Sequence, residues 1–549
     1  MSFQRRRAKP QKLFTVEILK RTLHTQDDQM VAFLREILYL VCMKDWEGIR
    51  AKRANWMISV ILTAAVPSSC VAAITTDPAI TKAMDALRQA VPRAQADPTR
   101  PVYHFRPPAQ WMNDACGGIY HKGYYHLFYQ LNPYGDHWGD IHWGHARSRD
   151  LVYWEHLPVA LAPTPEELRC NSGCVTINKQ GVPVIFYTHV PKQRGPRDQR
   201  AAFGDDELVT WKRHPANPIL TLENHGGPRF GGGWSDCYIF EEAGRAFMVI
   251  GVDSFGEEVV VPLYEAENAS YTKWKYRGLL FRASKKKLKN MEVPVFFKLD
   301  GEWVLLVHPG GPVRYWIGSF DVGTLSFQPE KEGKLTHNYG EHKADGVSCD
   351  RGFSSPHVFF DEKGRCILYG WISGFKDGRG WNGCLGLPRI LSMDSDGLLR
   401  QKPISELKKL RENHVKMALD LNNRGFVLKN TQGDTLEIAA EFEPSDANIF
   451  GLKVRRSDNG KKAITISYDG RSLNAAGVEV PFQLGKDEKT LKLQVFLDKS
   501  VMEIFVNDGR EAVAKVIYPG EKDLGIELFA LGGGATVRSL DIWQLKPIW

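Results

Sequence analysis

The sequence of 549 residues contains no apolar run that reaches the roughly 18 to 20 residues needed to span a membrane as a helix. It has no paired Cys-x-x-Cys motif, and its nine cysteines are an odd number. We therefore expect no membrane span, no structural metal and no disulfide framework.

A strongly basic surface for nucleic acid is also missing. The formal net charge is +8, but much of the excess lies in the first 53 residues. Neither a basic stripe interleaved with aromatic residues nor a known nucleic-acid motif is present. The charge indicates a basic tail and solvated faces, and we expect no nucleic-acid partner.

The N-terminal region, residues 1–100, is predicted to be a short helical extension. Within it an apolar segment at 57–66 follows three basic residues and precedes small residues at 69–73. This order is typical of a secretory signal, so residues 50–73 predict a secreted or periplasmic protein. Because a signal should begin the chain, translation would then start at Met43. The alternative is a buried helix within the extension.

A repeat follows the extension. Each of five glycines leads into a run rich in β-branched and aromatic residues: Gly123, Gly181, Gly244, Gly301 and Gly364. Their successive spacings are 58, 63, 57 and 63 residues. A period near 60 with several short strands per unit predicts a five-bladed β-propeller over residues 101–410. An irregular β-sandwich with accidental spacing is the alternative.

The C-terminal part has a different texture. Residues 495–509 alternate in their second half and end in a hairpin-type Asn-Asp-Gly turn, and further short strands lie on both sides. We interpret residues 411–549 as a separate β-sandwich domain. The expected fold class is thus all-β, a five-bladed β-propeller followed by a C-terminal β-sandwich.

Three carboxylates share one position in the repeat. Asp114 and Glu292 lie nine residues before a blade glycine, and Asp236 lies eight before one. Ser172 and Ser355 hold the matching position in the other two blades. If the position lies on the innermost strands, radial symmetry aims all three carboxylates at the central channel. Turn-capping carboxylates on separate loops are the alternative, but three at the same offset to within one residue favour a common site.

Glycoside cleavage requires such a set. One carboxylate attacks the anomeric carbon, a second carboxyl protonates the leaving oxygen, and a third holds sugar hydroxyls or the cationic transition state. Aromatic and polar residues around these positions suit a sugar, and Trp371 is among those that would contact the apolar face of a ring.

Several segments resemble glycoside hydrolase family 32, the invertase, inulinase and levanase group. The most specific is Trp-Met-Asn-Asp at 111–114, which is similar to the nucleophile motif of the family. Trp-Ser-Asp-Cys at 234–237 is similar to its Arg-Asp-Pro motif, and Met-Glu-Val-Pro at 291–294 to its Glu-Cys-Pro motif. The resemblance extends over about 101–549.

The resemblance implies a retaining β-fructofuranosidase that releases or transfers terminal fructosyl units of sucrose or fructans. Asp114 would be the nucleophile, Glu292 the general acid/base and Asp236 the transition-state stabiliser. The residues implied to line the fructosyl subsite are Asn113, Gln130, Trp138 and Ser172. The partner would be a carbohydrate, a fructoside, and no cofactor is implied.

One departure concerns substrate binding. The family's arginine hydrogen-bonds sugar hydroxyls, and Ser235 stands in its place here. A short hydroxyl cannot replace a guanidinium with several donors. Two alternatives therefore remain: a glycosidase for another sugar, such as an arabinofuranoside, and a catalytically inactive sugar-binding propeller.

Overall fold

The computed structural model describes residues 77–338 and 352–549. The predicted signal segment at 50–73 and the alternative start at Met43 lie outside the described residues. Within the described ranges, no helix is both long enough and apolar enough to cross a membrane.

Among the described residues, one α-helix precedes the sheets, in the region where the sequence predicts a short helical extension. Helix α1 (Pro78–Gln95) begins after Asp77, whose Oδ1 accepts a hydrogen bond of 2.8 Å from the Ala79 amide. An N-cap of this kind satisfies one of the amides that have no partner within the first turn. The helix buries Ala83 and Leu87 on one face. These side chains belong to a hydrophobic cluster that includes residues of the first sheet, so the helix packs against that sheet.

Five antiparallel sheets follow in chain order, and we name them blades I to V. Blade I contains β1 (Gln110–His121), β2 (Tyr124–Asn132), β3 (His142–Ser148) and β4 (Trp154–His156). Blade II contains β5 (Glu167–Ile177), β6 (Pro183–Pro191), β7 (Asp198–Gly204), β8 (Trp211–Arg213) and the short β9 (Leu220–Thr221). Blade III contains β10 (Gly233–Glu242), β11 (Arg245–Phe255), β12 (Glu258–Ala266) and β13 (Trp274–Ser284).

The last two blades complete the set. Blade IV contains β14 (Glu292–Leu299), β15 (Glu302–His308), β16 (Arg314–Asp321) and β17 (Ser326–Lys334). Blade V contains β18 (Phe353–Phe360), β19 (Cys366–Ile372), β21 (Cys384–Leu385), β22 (Arg389–Met393) and β23 (Leu399–Pro403). Strand β20 (Trp381–Asn382) lies between β19 and β21 in sequence. It pairs in parallel with β1 and so joins blade V to blade I.

The first strands of the blades form a closed ring. Each of β1, β5, β10, β14 and β18 contacts the first strands of both neighbouring blades. They are therefore the innermost strands around a common axis, and the predicted five-bladed propeller is confirmed.

The five repeat glycines form the turns between first and second strands. All have φ between 69° and 96°, the left-handed region that glycine adopts without a steric penalty. Thus the period seen in the sequence is a period of tight turns.

The C-terminal sheets stack as the predicted sandwich, after a 3₁₀ turn at Ser405–Leu410. One sheet contains β24 (Arg411–Asn422), β26 (Thr435–Pro444), β31 (Leu491–Asp498), β32 (Val501–Val506), β33 (Glu511–Val516) and β35 (Gly534–Leu545). The other contains β25 (Gly425–Val427), β27 (Ile449–Arg456), β28 (Ile464–Tyr468), β29 (Ser472–Ala475), β30 (Val478–Pro481) and β34 (Gly525–Leu531). Inward residues of both sheets form one buried core, which includes Ile438, Leu452 and Leu528.

A buried polar cluster joins the sandwich to the propeller. His104 Nδ1 lies 2.8 Å from Asp498 Oδ2, and His104 Nε2 lies 3.0 Å from Glu503 Oε1. Glu503 also pairs with Arg389 of blade V and accepts the Leu387 amide at 2.6 Å. Two carboxylates of the β31–β32 hairpin thus hold the entry to blade I and the edge of blade V.

Candidate active site

A β-bulge lies near the start of every innermost strand. In each blade the pairing with the second strand shifts register beside the residue that the repeat singles out: Asp114, Ser172, Asp236, Glu292 and Ser355. A bulge adds an unpaired residue and redirects its side chain. Because the five strands surround one axis, the three carboxylates and two serines occupy equivalent places on the ring.

Asp114 is held by hydroxyl and amide donors. Ser172 Oγ donates to its Oδ2 at 2.7 Å, and Asn113 Nδ2 donates to its Oδ1 at 3.3 Å. Burial raises the pKa of Asp114, and the charge of Glu292 raises it further, while hydrogen bonds from Ser172 and Ser355 lower it. The two serines therefore favour the ionised form that a nucleophile needs.

Asp236 is the most strongly perturbed of the three. Burial, followed by the charges of Asp114 and Glu292, raises its pKa to about 8. Its backbone has a φ of 63° within the bulge, and its amide donates to Thr188 Oγ1 at 3.1 Å. The Val293 amide donates to its Oδ2 at 3.3 Å, which links Asp236 to blade IV. A pKa of about 8 favours the protonated form of this carboxyl at neutral pH.

Glu292 is partly accessible, with 41% of its side chain exposed. His308 Nδ1 lies 3.3 Å from its Oε2, and Asn290 Nδ2 donates to its Oε1 at 3.4 Å. Nearby, burial and the charge of Glu292 raise the pKa of Asp253, which accepts the Met291 amide at 2.9 Å. An accessible carboxyl in this acidic setting is suited to exchange protons with a bound ligand and with water.

The predicted subsite residues divide into two groups. Gln130 Nε2 donates to Ser172 Oγ, and Trp111 Nε1 donates to Asn113 Oδ1 at 3.2 Å, so Asn113, Gln130 and Ser172 all belong to the network around Asp114. Trp371 joins this group because its ring packs edge-to-face against Trp111 with centroids 5.5 Å apart.

Trp138 lies apart from that network, in the loop between β2 and β3. Its side chain is half exposed, and the Arg169 guanidinium carbon lies 4.1 Å from its ring centroid. Its described ring contact is thus with Arg169 of blade II and not with the hydrogen-bond network around Asp114.

Ser235 is buried beside Asp236, and its hydroxyl accepts a hydrogen bond of 3.1 Å from Arg197 Nη1. Sequence reasoning did not identify Arg197, because it lies in blade II, outside the motif that it contacts.

Other residues of the site were also missed, although the repeat carries a signal for them. Gln130 and Trp371 lie seven residues after a blade glycine, and Thr188 and His308 have the same offset in blades II and IV. This position is the inner end of the second strand, directly opposite the bulge. The same offset of seven residues, applied to blades II and IV, would have identified Thr188 and His308 from the sequence.

The described residues show little that could bind a metal. No three His, Cys, Asp or Glu side chains come close enough to hold an ion within 77–338 and 352–549. The six cysteines in these ranges are buried and free.

Comparison with known proteins places most of the chain in one family. The family model for the glycosyl hydrolases family 32 N-terminal domain matches residues 104–403, and the model for the family 32 C-terminal domain matches 406–544. A levanase of Bacillus subtilis is 31% identical over 502 residues, which cover 82% of this chain and 71% of that protein. A sucrose-6-phosphate hydrolase of Escherichia coli is 29% identical over 471 residues, which cover 81% and 94%.

Among solved structures, fructan 1-exohydrolase IIa from Cichorium intybus has the same fold, with a TM-score of 0.72 at 23% identity. The match covers 82% of this chain and 98% of that one. With both domain models matched along most of its length, the chain is a glycoside hydrolase that belongs to glycosyl hydrolases family 32.

Proposed function

We propose that the protein is a retaining β-fructofuranosidase that releases terminal β-fructofuranosyl units from sucrose or fructans. The observation that carries the proposal is the convergence of Asp114, Asp236 and Glu292 at equivalent bulges of the innermost strands. Retaining glycoside hydrolysis needs a nucleophilic carboxylate and an acid/base carboxyl that flank the scissile bond.

The reaction proceeds in two steps. Asp114 attacks the anomeric carbon of the fructosyl unit while Glu292 donates its proton to the leaving oxygen, which breaks the glycosidic bond and forms a fructosyl ester of Asp114. Glu292 then takes a proton from water, the water oxygen attacks the same carbon, and the ester bond to Asp114 breaks. The donors from Ser172 and Asn113 orient Asp114 for the attack.

Asp236 binds rather than reacts. Its carboxyl, whose pKa is about 8, is protonated at neutral pH and can therefore donate one hydrogen bond and accept others. Such a group suits two adjacent hydroxyls of the fructosyl ring. Hydrogen bonds that strengthen as positive charge develops on the sugar would stabilise the transition state.

Fructosides are supported as the substrate class by the relatives, which are named a levanase, a sucrose-6-phosphate hydrolase and a fructan 1-exohydrolase. Ser235 was the feature that favoured an arabinofuranoside, and family membership weighs against that alternative. An inactive sugar-binding propeller would have no need of three converging carboxylates.

The test is a sugar-release assay of the purified chain over sucrose, inulin, levan, a phosphorylated sucrose and an arabinofuranoside. We expect fructose from one or more fructosides and no release of arabinose. Asp114→Ala and Glu292→Ala should each lower turnover by about 10³-fold or more without loss of the folded state. Release of arabinose alone, or full activity of Asp114→Ala, would refute the proposal.

We also propose that residues 50–73 direct the protein out of the cytoplasm, on the basis of their charge, apolar length and small residues. The mature chain should then begin near residue 73 or 74. N-terminal sequencing of natively produced protein tests this, and an intact segment 1–56 on the exported protein would contradict it.

A further inference from the structure

Arg197 bridges two blades at the site. It lies immediately before β7 in blade II, and its Nη1 donates to Ser235 Oγ at 3.1 Å and to the Gly233 carbonyl at 3.3 Å in blade III. Ser235 directly precedes Asp236 in sequence. The hydrogen bond to Ser235 therefore holds the guanidinium of Arg197 beside Asp236. The serine side chain itself is too short to reach a ligand as an arginine at this position would.

The backbone that carries Arg197 is anchored. The next residue is Asp198, and its Oδ2 lies 2.8 Å from His189 Nδ1. Its Oδ1 accepts a hydrogen bond of 2.9 Å from Arg200 Nε. These contacts fix the start of β7. A backbone that is already fixed reduces the conformational entropy that a binding residue loses when its ligand binds.

Arg197 also faces open space. It lines a cleft of about 940 Å³ together with Phe230 and Gly233. At Gly232, which lines the same cleft, an added Cβ would meet no atom within 4 Å. In the part of the chain that the structure describes, both hydrogen bonds of the guanidinium use Nη1, so Nη2 and Nε can donate to a ligand.

The charge of Arg197 acts on the same end of the site. It lowers the pKa of Asp236 and that of Asp253, against the opposite effects of burial and of neighbouring carboxylates. A cation that interacts with these two carboxyls lies close to where a sugar held by Asp236 would bind.

We propose that Arg197 is a substrate-binding residue that donates hydrogen bonds to hydroxyls of the fructosyl unit beside Asp236. It supplies from blade II the guanidinium that the motif at 234–237 lacks, and Ser235 orients it. The inference rests on the proposed function and names a specificity-determining residue of that site. A guanidinium presents several donors in a fixed plane, which suits adjacent hydroxyls of one ring.

The test uses the full-length chain and two substitutions. Arg197→Ala should lower kcat/KM for sucrose by about 10- to 100-fold and weaken competitive inhibition by fructose to a similar extent, because hydrogen bonds to a charged donor are lost. Adding Ser235→Arg to Arg197→Ala restores a guanidinium near Asp236, now carried by position 235 in blade III instead of position 197 in blade II. We expect this double variant to recover about tenfold or more over Arg197→Ala, a rescue that a purely structural role would not allow.

Arg194→Ala is the matched control, since Arg194 is an exposed arginine three residues away in the same loop, and it should stay within about twofold of the parent enzyme. Arg197→Ala at parent activity, or a double variant no better than Arg197→Ala, would overturn the inference. If Arg197→Ala does not fold, Arg197→Lys replaces it. Lysine keeps the charge but not the planar donors, so fructose inhibition should still weaken, and unchanged inhibition would contradict the inference.

The two proposals fail differently. A parent enzyme that releases fructose from none of the fructosides refutes the proposed function itself. An active parent enzyme whose Arg197→Ala variant matches it refutes only the role of Arg197.

Discussion

At the scale of single residues, the site is governed by how three carboxyls share negative charge in a confined space. The pKa of Asp236 is raised to about 8 by burial and by the charges of Asp114 and Glu292. Ser172 and Ser355 act in the opposite direction on Asp114. The pKa values of both aspartates are raised by burial, but only Asp114 has two serine hydroxyls that oppose the rise, and different surroundings of this kind can assign different roles to similar groups.

This raised pKa predicts a pH dependence of stability. Between its unfolded value of 3.8 and about 8, Asp236 binds a proton in the folded chain but not in the unfolded one. Stability from this group is therefore fully present below pH 3.8 and is lost as the pH rises through about 8. Asp236→Asn cannot ionise, so its thermal midpoint, relative to that of the parent, should rise by several degrees between about pH 5 and pH 9. Thermal denaturation at a series of pH values measures it, and a constant difference would contradict the assignment.

The residues that sequence reasoning found and missed at the site differ in where they lie. Asp114, Asp236 and Glu292 were found because they recur at the same offset in a repeat to within one residue. Arg197 could not be found in this way, because its contact with Ser235 joins two blades whose relative placement no local pattern records. Trp138 was placed in the subsite by resemblance, and its contact with Arg169 depends on a loop conformation that the sequence does not specify.

At the scale of elements, the blade is defined by a tight turn and a bulge. The glycine turns were visible in the sequence because only glycine adopts their φ without strain. The bulges were not visible in the sequence, because a register shift depends on how two strands pair and is not marked by any particular residue type. The position of the site along each blade was therefore predictable, while the way each strand redirects its side chain was not.

Gly181 offers a test of the turn. It has a φ of 78°, and an added Cβ would meet no atom within 4 Å, so Gly181→Ala introduces conformational strain without a clash. We expect a loss of about 1–2 kcal/mol in the free energy of unfolding. Gly311→Ala is the control, since Gly311 has equal space and no left-handed φ, and it should be neutral or slightly stabilising. Urea denaturation compares the two, and equal midpoints would contradict this account of the repeat.

At the scale of the whole molecule, the sandwich is coupled to the propeller through buried charges. His104 is fully buried between Asp498 and Glu503, and Glu503 also pairs with Arg389. Burial alone would lower the pKa of His104, but hydrogen bonds and charges from the two carboxylates raise it to about 9. The segments around 387–389 and 495–509, which the sequence analysis placed in different domains, meet at this cluster.

The cluster predicts how the intact protein responds to pH. Stability from His104 is fully present below its unfolded pKa of 6.5 and is lost as the pH rises to about 9. His104→Leu should therefore lower the thermal midpoint at about pH 6 and flatten its decline towards pH 9. His414→Ala removes a partly exposed histidine paired with Asp541, and its pH profile should follow that of the parent. A His104→Leu profile as steep as the parent's would contradict this role.

Retaining fructoside hydrolysis by the three carboxylates, as proposed, determines the anomeric configuration of the first product. NMR of sucrose hydrolysis, recorded before mutarotation, should show fructose released first as the β-furanose, because two displacements at one carbon restore its configuration. Release of the α-anomer first would mean a single displacement by water, and would contradict the assignment of Asp114 as the nucleophile.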